Sequence, residues 1–265
     1  ALPIYGKYTQ AREKYSELLS KLAEIYGENN LSLVNYYSQI ACALVEEHLL
    51  AEAKKLRQKV LEIILQNYDE NHPILIDAYY DMALSEILGT DYVAARNYFE
   101  SALKLSLAVF GEKHTQVAKI YNSMANLYGR LGDPELQLEY LLKSHKLRKA
   151  IYGNDHLQVA YTYYNLGSFY EKAGSHLKAL RKITKGIRIY AKLHGENHVD
   201  LAMDYNTLGH INKHLGNKID SLRYYFKSLR IRLKAFTRPH LYLYNNMVNL
   251  SAYFEDLQCF ELDSN

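Results

Sequence analysis

Apolar positions along the chain recur at spacings of three and four, the mark of one buried helix face, and the pattern itself returns with a constant period. His72, His114, His156, His198 and His240 stand one period apart without insertion, and Asn30 occupies the place where the series extends backward. Counted from the residue after each marker, position three reads Leu33, Leu75, Val117, Val159, Leu201 and Leu243, and position ten reads Ile40, Met82, Met124, Leu166, Leu208 and Leu250. Between them, position seven carries Tyr37, Tyr79, Tyr121, Tyr163, Tyr205 and Met247. Position eleven is always small (Ala41, Ala83, Ala125, Gly167, Gly209, Ser251), as a helix requires where a second helix crosses it closely. A bulky side chain there would overpack the crossing at about 1–3 kcal/mol.

A second helix follows in each unit. Gly132, Gly174 and Gly216 share position eighteen, where the first helix is expected to end in a left-handed residue. The second helix carries Ala95 and Ala179 at position twenty-three, and Leu105, Leu147, Ile189 and Ile231 at thirty-three, and it closes on an aromatic-glycine pair in Tyr26-Gly27, Phe110-Gly111 and Tyr152-Gly153. Neither helix buries its apolar face alone, so the hairpins must stack. Five complete units span 31–72, 73–114, 115–156, 157–198 and 199–240. Residues 1–30 supply the second helix of a partial unit, with Gly6 at its position eighteen, and 241–265 supply another first helix and a tail. The expected fold class is all-α, one array over 1–265.

Composition supports a folded helical chain: 48% of residues are hydrophobic and 23% charged, with only four prolines and thirteen glycines, too few for a loop-rich β-sandwich. Cys42 and Cys259 have no paired spacing, so a disulfide framework and a zinc motif lack support, and a reducing, cytoplasmic location is expected. No apolar run reaches the roughly 18 residues of a membrane span. The start at Ala1, Leu2 and Pro3 suggests a piece of a longer chain.

Helical hairpins with small residues at positions eleven and twenty-three resemble tetratricopeptide repeats, and the 42-residue length with a GxxH ending resembles the kinesin-light-chain type. The stretch from Tyr152 to Ile189, with Gly153-Asn154-Asp155-His156, Val159-Ala160, Asn165-Leu166, Tyr170, Gly174 and Ala179-Leu180, carries the resemblance most fully. That family usually shows paired asparagines at positions eight and nine; here the pairs are Ser38-Gln39, Tyr80-Asp81, Asn122-Ser123, Tyr164-Asn165 and Asn206-Thr207. His48 replaces the turn glycine in the first complete unit, and Gly89 sits one place early in the second. The resemblance implies a right-handed superhelical array whose first helices line a concave groove at positions five, eight, nine and twelve.

Those positions, with their edges, give the candidate peptide-binding residues Lys119, Asn122, Asn126, Arg130, Tyr161, Tyr164, Asn165, Lys172, Asn206 and His210. An amide both donates and accepts, which suits holding an extended backbone whatever its side chains; the bland reading is that Asn122, Asn126, Asn165 and Asn206 satisfy each other or water. Tyr161 and Tyr164, one turn apart, would pack an aromatic or apolar anchor. Residues 1–132 carry 13 Lys and Arg against 16 Asp and Glu, and 133–265 carry 19 against 13. An acidic or aromatic-acidic segment is therefore drawn to units three to five and repelled by Asp77 and Asp81 of unit two. Arg181, Lys182, Lys185 and Arg188 fall on a second helix, where a solvated face is at least as good a reading.

The periodic histidines read as loop residues at the start of first helices, each a hairpin apart. His210 and His214 lie four apart, but HINKH lacks the glutamate of HExxH and shows no third ligand in sequence, so no metal and no cofactor is expected. Phosphate-binding glycine loops and a nucleophile elbow are absent as motifs. The glycosylation matches at Asn30 and Asn249 lack a secretory signal. The leading expectation is a non-enzymatic adaptor that binds a short acidic peptide. The alternatives are a sensor or assembly region of a larger enzyme or effector and, against modest net charge, a single-stranded nucleic-acid binder. Apolar residues of the terminal half-units, Leu241, Leu243 and Met247, offer a route to a homo-oligomer.

Overall fold

The computed structural model describes residues 2–235 and Val248. The marker His240 and the partial unit at 241–265, with Leu241, Leu243, Met247, Asn249 and Cys259, lie outside the described residues. Among the described residues every regular element is helical. They run α1 (Leu2–Tyr26), α2 (Val34–Glu46), α3 (Leu50–Asn67), α4 (Leu75–Leu88), α5 (Tyr92–Phe110), α6 (Thr115–Leu131), α7 (Pro134–Tyr152), α8 (Leu157–Lys172), α9 (His176–His194), α10 (Leu201–His214) and α11 (Lys218–Ala235). Two helices fall in each unit, as the period requires. Gly6 makes no turn, because α1 passes through it.

Contacts divide the chain into two compact bodies, 1–140 and 141–265, with the boundary inside α7. In the first, α2 pairs with α3 and α4 with α5, while α1 packs on α2, α3 on α4 and α5 on α6. In the second, α8 pairs with α9 and α10 with α11, and α9 packs on α10. Position three is fully buried in all five units, at Leu33, Leu75, Val117, Val159 and Leu201. Ile63, Met82, Phe99 and Met124 join the core of the first body, and Leu166, Ile183, Ile211 and Tyr225 are buried in the second.

The local devices follow from backbone chemistry. Gly132, Gly174 and Gly216 take φ of 75°, 70° and 76°, the left-handed cap that a side chain disfavours. The first two turns lack that glycine in the right place, and the chain bends there regardless: His48 has φ 61° and Thr90, not Gly89, has φ 64°. The position-eleven glycines are needed for space. A Cβ on Gly167 would lie 2.4 Å from Ile183 Cδ1, and one on Gly209 would lie 2.6 Å from the Tyr225 ring.

The periodic histidines have a role beyond marking loops. The Nδ1 atoms of His114 and His156 accept hydrogen bonds from the amides of Gln116 and Gln158 at 3.2 and 3.1 Å, capping α6 and α8. Each ring also stacks on the aromatic residue four places earlier, with centroids 4.1 Å apart for Phe110–His114 and 4.3 Å for Tyr152–His156. Tyr68 and His72 repeat the stack at 3.8 Å. Asn30 substitutes as a cap, its side chain accepting from the Ser32 amide at 2.9 Å. The aromatic-Gly-x-x-His ending is thus one device: a ring pair that fixes the chain between hairpins while the imidazole satisfies an orphan helix donor.

Candidate functional site

The first helices present graded burial rather than one uniform lining. Position five is exposed in most units, as at Asn35, Asp77, Tyr161 and Met203, and position twelve is exposed at Cys42, Asn126 and His210. Position eight lies deeper: Tyr80 and Asn122 are buried, and Tyr164 and Asn206 are half-buried. Helical geometry accounts for this, since position eight lies four residues after buried position four (Ile76, Ala118, Ala160, Ala202) and three before buried position eleven, whereas five and twelve are seven apart on the outer edge.

In the first body, α4 and α6 meet through polar contacts. The Lys119 ammonium lies 3.8 Å from the Tyr80 ring centroid and 3.9 Å from the Asp77 carboxylate. Gln116 Nε2 donates to the same carboxylate at 2.8 Å, and the hydroxyls of Tyr80 and Ser123 share a hydrogen bond of 2.9 Å. Burial pushes the Asp81 carboxyl above its ordinary range, opposed by Arg57 and Lys119 and reinforced by Asp77. Two consequences bear on the expected ligand site. Lys119 is already engaged by an acid and a ring, so its charge is partly spent within the fold, and Asn122 is only 7% exposed and presents little of its amide on the surface. Asn126 and Arg130 are exposed. A cavity of about 130 Å³ beside α4 is lined by Ser38, Arg57, Asp77 and Asp81. Arg57 donates into its wall, to the Asp81 carbonyl at 3.1 Å and to Ser85 Oγ at 2.7 Å.

In the second body the face of α8 and α10 is more open. Tyr161 is 49% exposed and Met203 52% exposed, which gives two apolar surfaces at position five of successive units. On the same two helices Tyr164, Asn165, Ser168, Asn206 and Thr207 are half-buried. The Arg148 guanidinium lies 5.6 Å from the Tyr161 ring centroid. Lys172 is exposed in the last turn of α8. His210 Nδ1 lies 3.2 Å from Glu171 Oε1. Tyr161, Asn165, Lys172, Asn206 and His210, drawn from two successive units, therefore share one body, and Lys119, Asn122, Asn126 and Arg130 share the other.

Sequence reasoning missed one group here. HINKH shows no third ligand beside His210 and His214, yet the fold brings up Glu171 from the preceding unit and stacks His176 on His214. A long-range pairing leaves no local pattern, so only the equal unit length, which puts Glu171 almost one full period before His210, hinted at it. The basic run of α9 keeps Arg181, Lys185 and Arg188 exposed, in line with the solvated face weighed from sequence, and with Tyr170 it borders a groove of about 500 Å³. Its charges crowd each other: burial holds the Lys182 ammonium below its ordinary range, aided by Lys185 and Lys149. The facing His145 is driven down to about 4 by burial and by the same lysines. No described helix is long and apolar enough to cross a membrane.

Comparison with known proteins gives one family-model match and several solved structures of similar fold. A tetratricopeptide-repeat family model matches residues 116–192 and 158–234. The fold is similar to that of BtubC (BKLC) from P. vanneervenii, at 22% identity and a TM-score of 0.70, over 89% of this chain and 93% of that one. It is also similar to the nearly identical TPR-like repeats assigned to a kinesin light chain of Podosopora anserina, at 15% identity and a TM-score of 0.66, over 79% and 99% of the two chains. The apo form of RapI is 19% identical with a TM-score of 0.70, over 94% of this chain and 67% of that one. No curated protein matches the sequence.

Proposed function

We propose that this chain, a tetratricopeptide-repeat protein whose units are similar in fold to those of the kinesin-light-chain type, is a non-enzymatic adaptor capturing a short, acidic or aromatic-acidic peptide on its first-helix face. The fold is that of a protein-interaction scaffold. The observation that carries the finer reading is the α8–α10 face, where exposed Tyr161 and Met203 flank half-buried Asn165 and Asn206 beside exposed Lys172. Apolar surfaces supply an anchor, amides hold a backbone, and the cation selects for acid. The net charge of +6 over 133–265 favours the same ligand sign. Lys119 contributes less, because Asp77 already meets its charge.

A fluorescein-labelled library of acidic twelve-residue peptides, with and without one aromatic residue, would be titrated by fluorescence anisotropy at low and high salt. Binding is expected to weaken with salt, and to weaken about tenfold in Tyr161→Ala or Asn165→Ala, in line with about 1–1.5 kcal/mol for a lost contact or hydrogen bond. Lys172→Glu should reduce the preference for acidic over neutral peptides. Affinity that survives all three substitutions unchanged sinks the assignment of this face.

A further inference from the structure

Where α8 ends, three side chains converge whose chemistry the peptide-binding reading does not use. Glu171 stands in the last turn of α8, and His210 and His214 project from α10 one turn apart. One ligand-type atom from each lies within 4.8 Å of the others. The His176 ring, at the start of α9, lies flat against that of His214, with centroids 4.6 Å apart and planes 2° apart, while the His210 and His214 centroids are 5.1 Å apart. All four residues belong to one body, and their helices are held by the packing of α8 on α9 and of α9 on α10.

We propose that Glu171, His210 and His214 form a site for a divalent transition-metal ion of the zinc class, with His176 as a positioning group behind His214 and one coordination position left open. The donor set, two imidazoles and a carboxylate, is one that such ions accept. Metal–ligand bonds of about 2.0–2.2 Å in tetrahedral geometry place ligand atoms about 3.4 Å apart. Glu171 and His210 already stand at 3.2 Å, and the remaining closure falls on the exposed His210 and His214 side chains.

An ion pair between Glu171 and His210 explains only half of this arrangement. His176 Nδ1 is buried without a hydrogen-bond partner, which fits a ring placed for stacking, the kind of outer support that orients a ligand. An ion here would tie the unit at 157–198 to the unit at 199–240.

Zinc chloride titrated into the full chain against a chromogenic chelating indicator, without any peptide, tests the site. One saturable equivalent is expected, with Co²⁺ giving visible absorption on the same site and the thermal midpoint rising with metal and falling back with chelator. His210→Ala, His214→Ala and Glu171→Gln should each weaken binding at least tenfold, and His176→Ala about tenfold, with unchanged helical circular dichroism. His194→Ala, at a separate histidine pair with His198, should leave binding intact. Absence of saturable binding overturns the proposal. So does equal affinity in the three ligand variants, or loss on His194→Ala.

Discussion

Asp204 occupies position six of its unit, a slot filled by buried Ala78, Ile120 and Thr162 in the three units before it. Burial pushes its carboxyl up to about 7, with Asp200 one turn earlier adding to the shift. Tyr190 donates to Asp200 and His198 stands close by, so the neighbouring acid has its own partners. A carboxyl that holds its proton to about pH 7 when folded, and releases it near 4 when unfolded, favours the folded state fully only below about 4. That contribution drains away as pH rises through 7. At 1.36 kcal/mol per unit, about three units amount to about 4 kcal/mol. The N-terminus of α10 offsets up to about 1 kcal/mol of this by favouring an anion in the first turn, which leaves about 3 kcal/mol. Asp204→Asn keeps the shape of the neutral acid and removes the titration. Urea unfolding followed by circular dichroism at pH 4, 5, 6, 7 and 8 should show the two proteins matched at pH 4. The variant should then become more stable by about 3 kcal/mol at pH 8. A difference that stays flat from pH 4 to 8 would refute the burial argument.

Thermal and urea unfolding check three further expectations. Gly209→Ala puts a Cβ into the Tyr225 ring and should cost about 1–3 kcal/mol; an unchanged midpoint would mean that the hairpin opens freely. Thr90→Gly removes a β-branched residue from a left-handed turn and should stabilise by about 0.5–1 kcal/mol, the relief of strain exceeding the added chain entropy. His156→Ala loses both the cap on α8 and the stack on Tyr152; a loss of about 1 kcal/mol is expected, with early amide exchange localised to residues 153–160.

Much of the architecture was legible because one period does two jobs. Leu33, Leu75, Val117, Val159 and Leu201 fall at a single register and are all fully buried, since equal units force equal crossings. The turn glycines and the small residue at position eleven were readable for the same reason. The site was less legible. Periodicity places Asn122 and Asn206 on the same face, but depth on that face depends on what the neighbouring unit presents, so Asn122 is buried while Asn206 stays half-buried. Likewise Glu171 and His176 carried no local signal, because their meeting with His214 is a property of stacking and not of any one helix.

The fit of Ile183 into the space above Gly167, and of Tyr225 above Gly209, sets what recombination within such a gene can tolerate. In both cases glycine and filler lie at the same separation on partner helices, so a duplication or exchange that moves a whole hairpin carries lock and key together. A crossover inside a hairpin would separate them, setting a large ring against an alanine or leaving a glycine over an empty hollow. The heritable module is the helix pair, and breakpoints compatible with folding fall at the aromatic-Gly-x-x-His junctions.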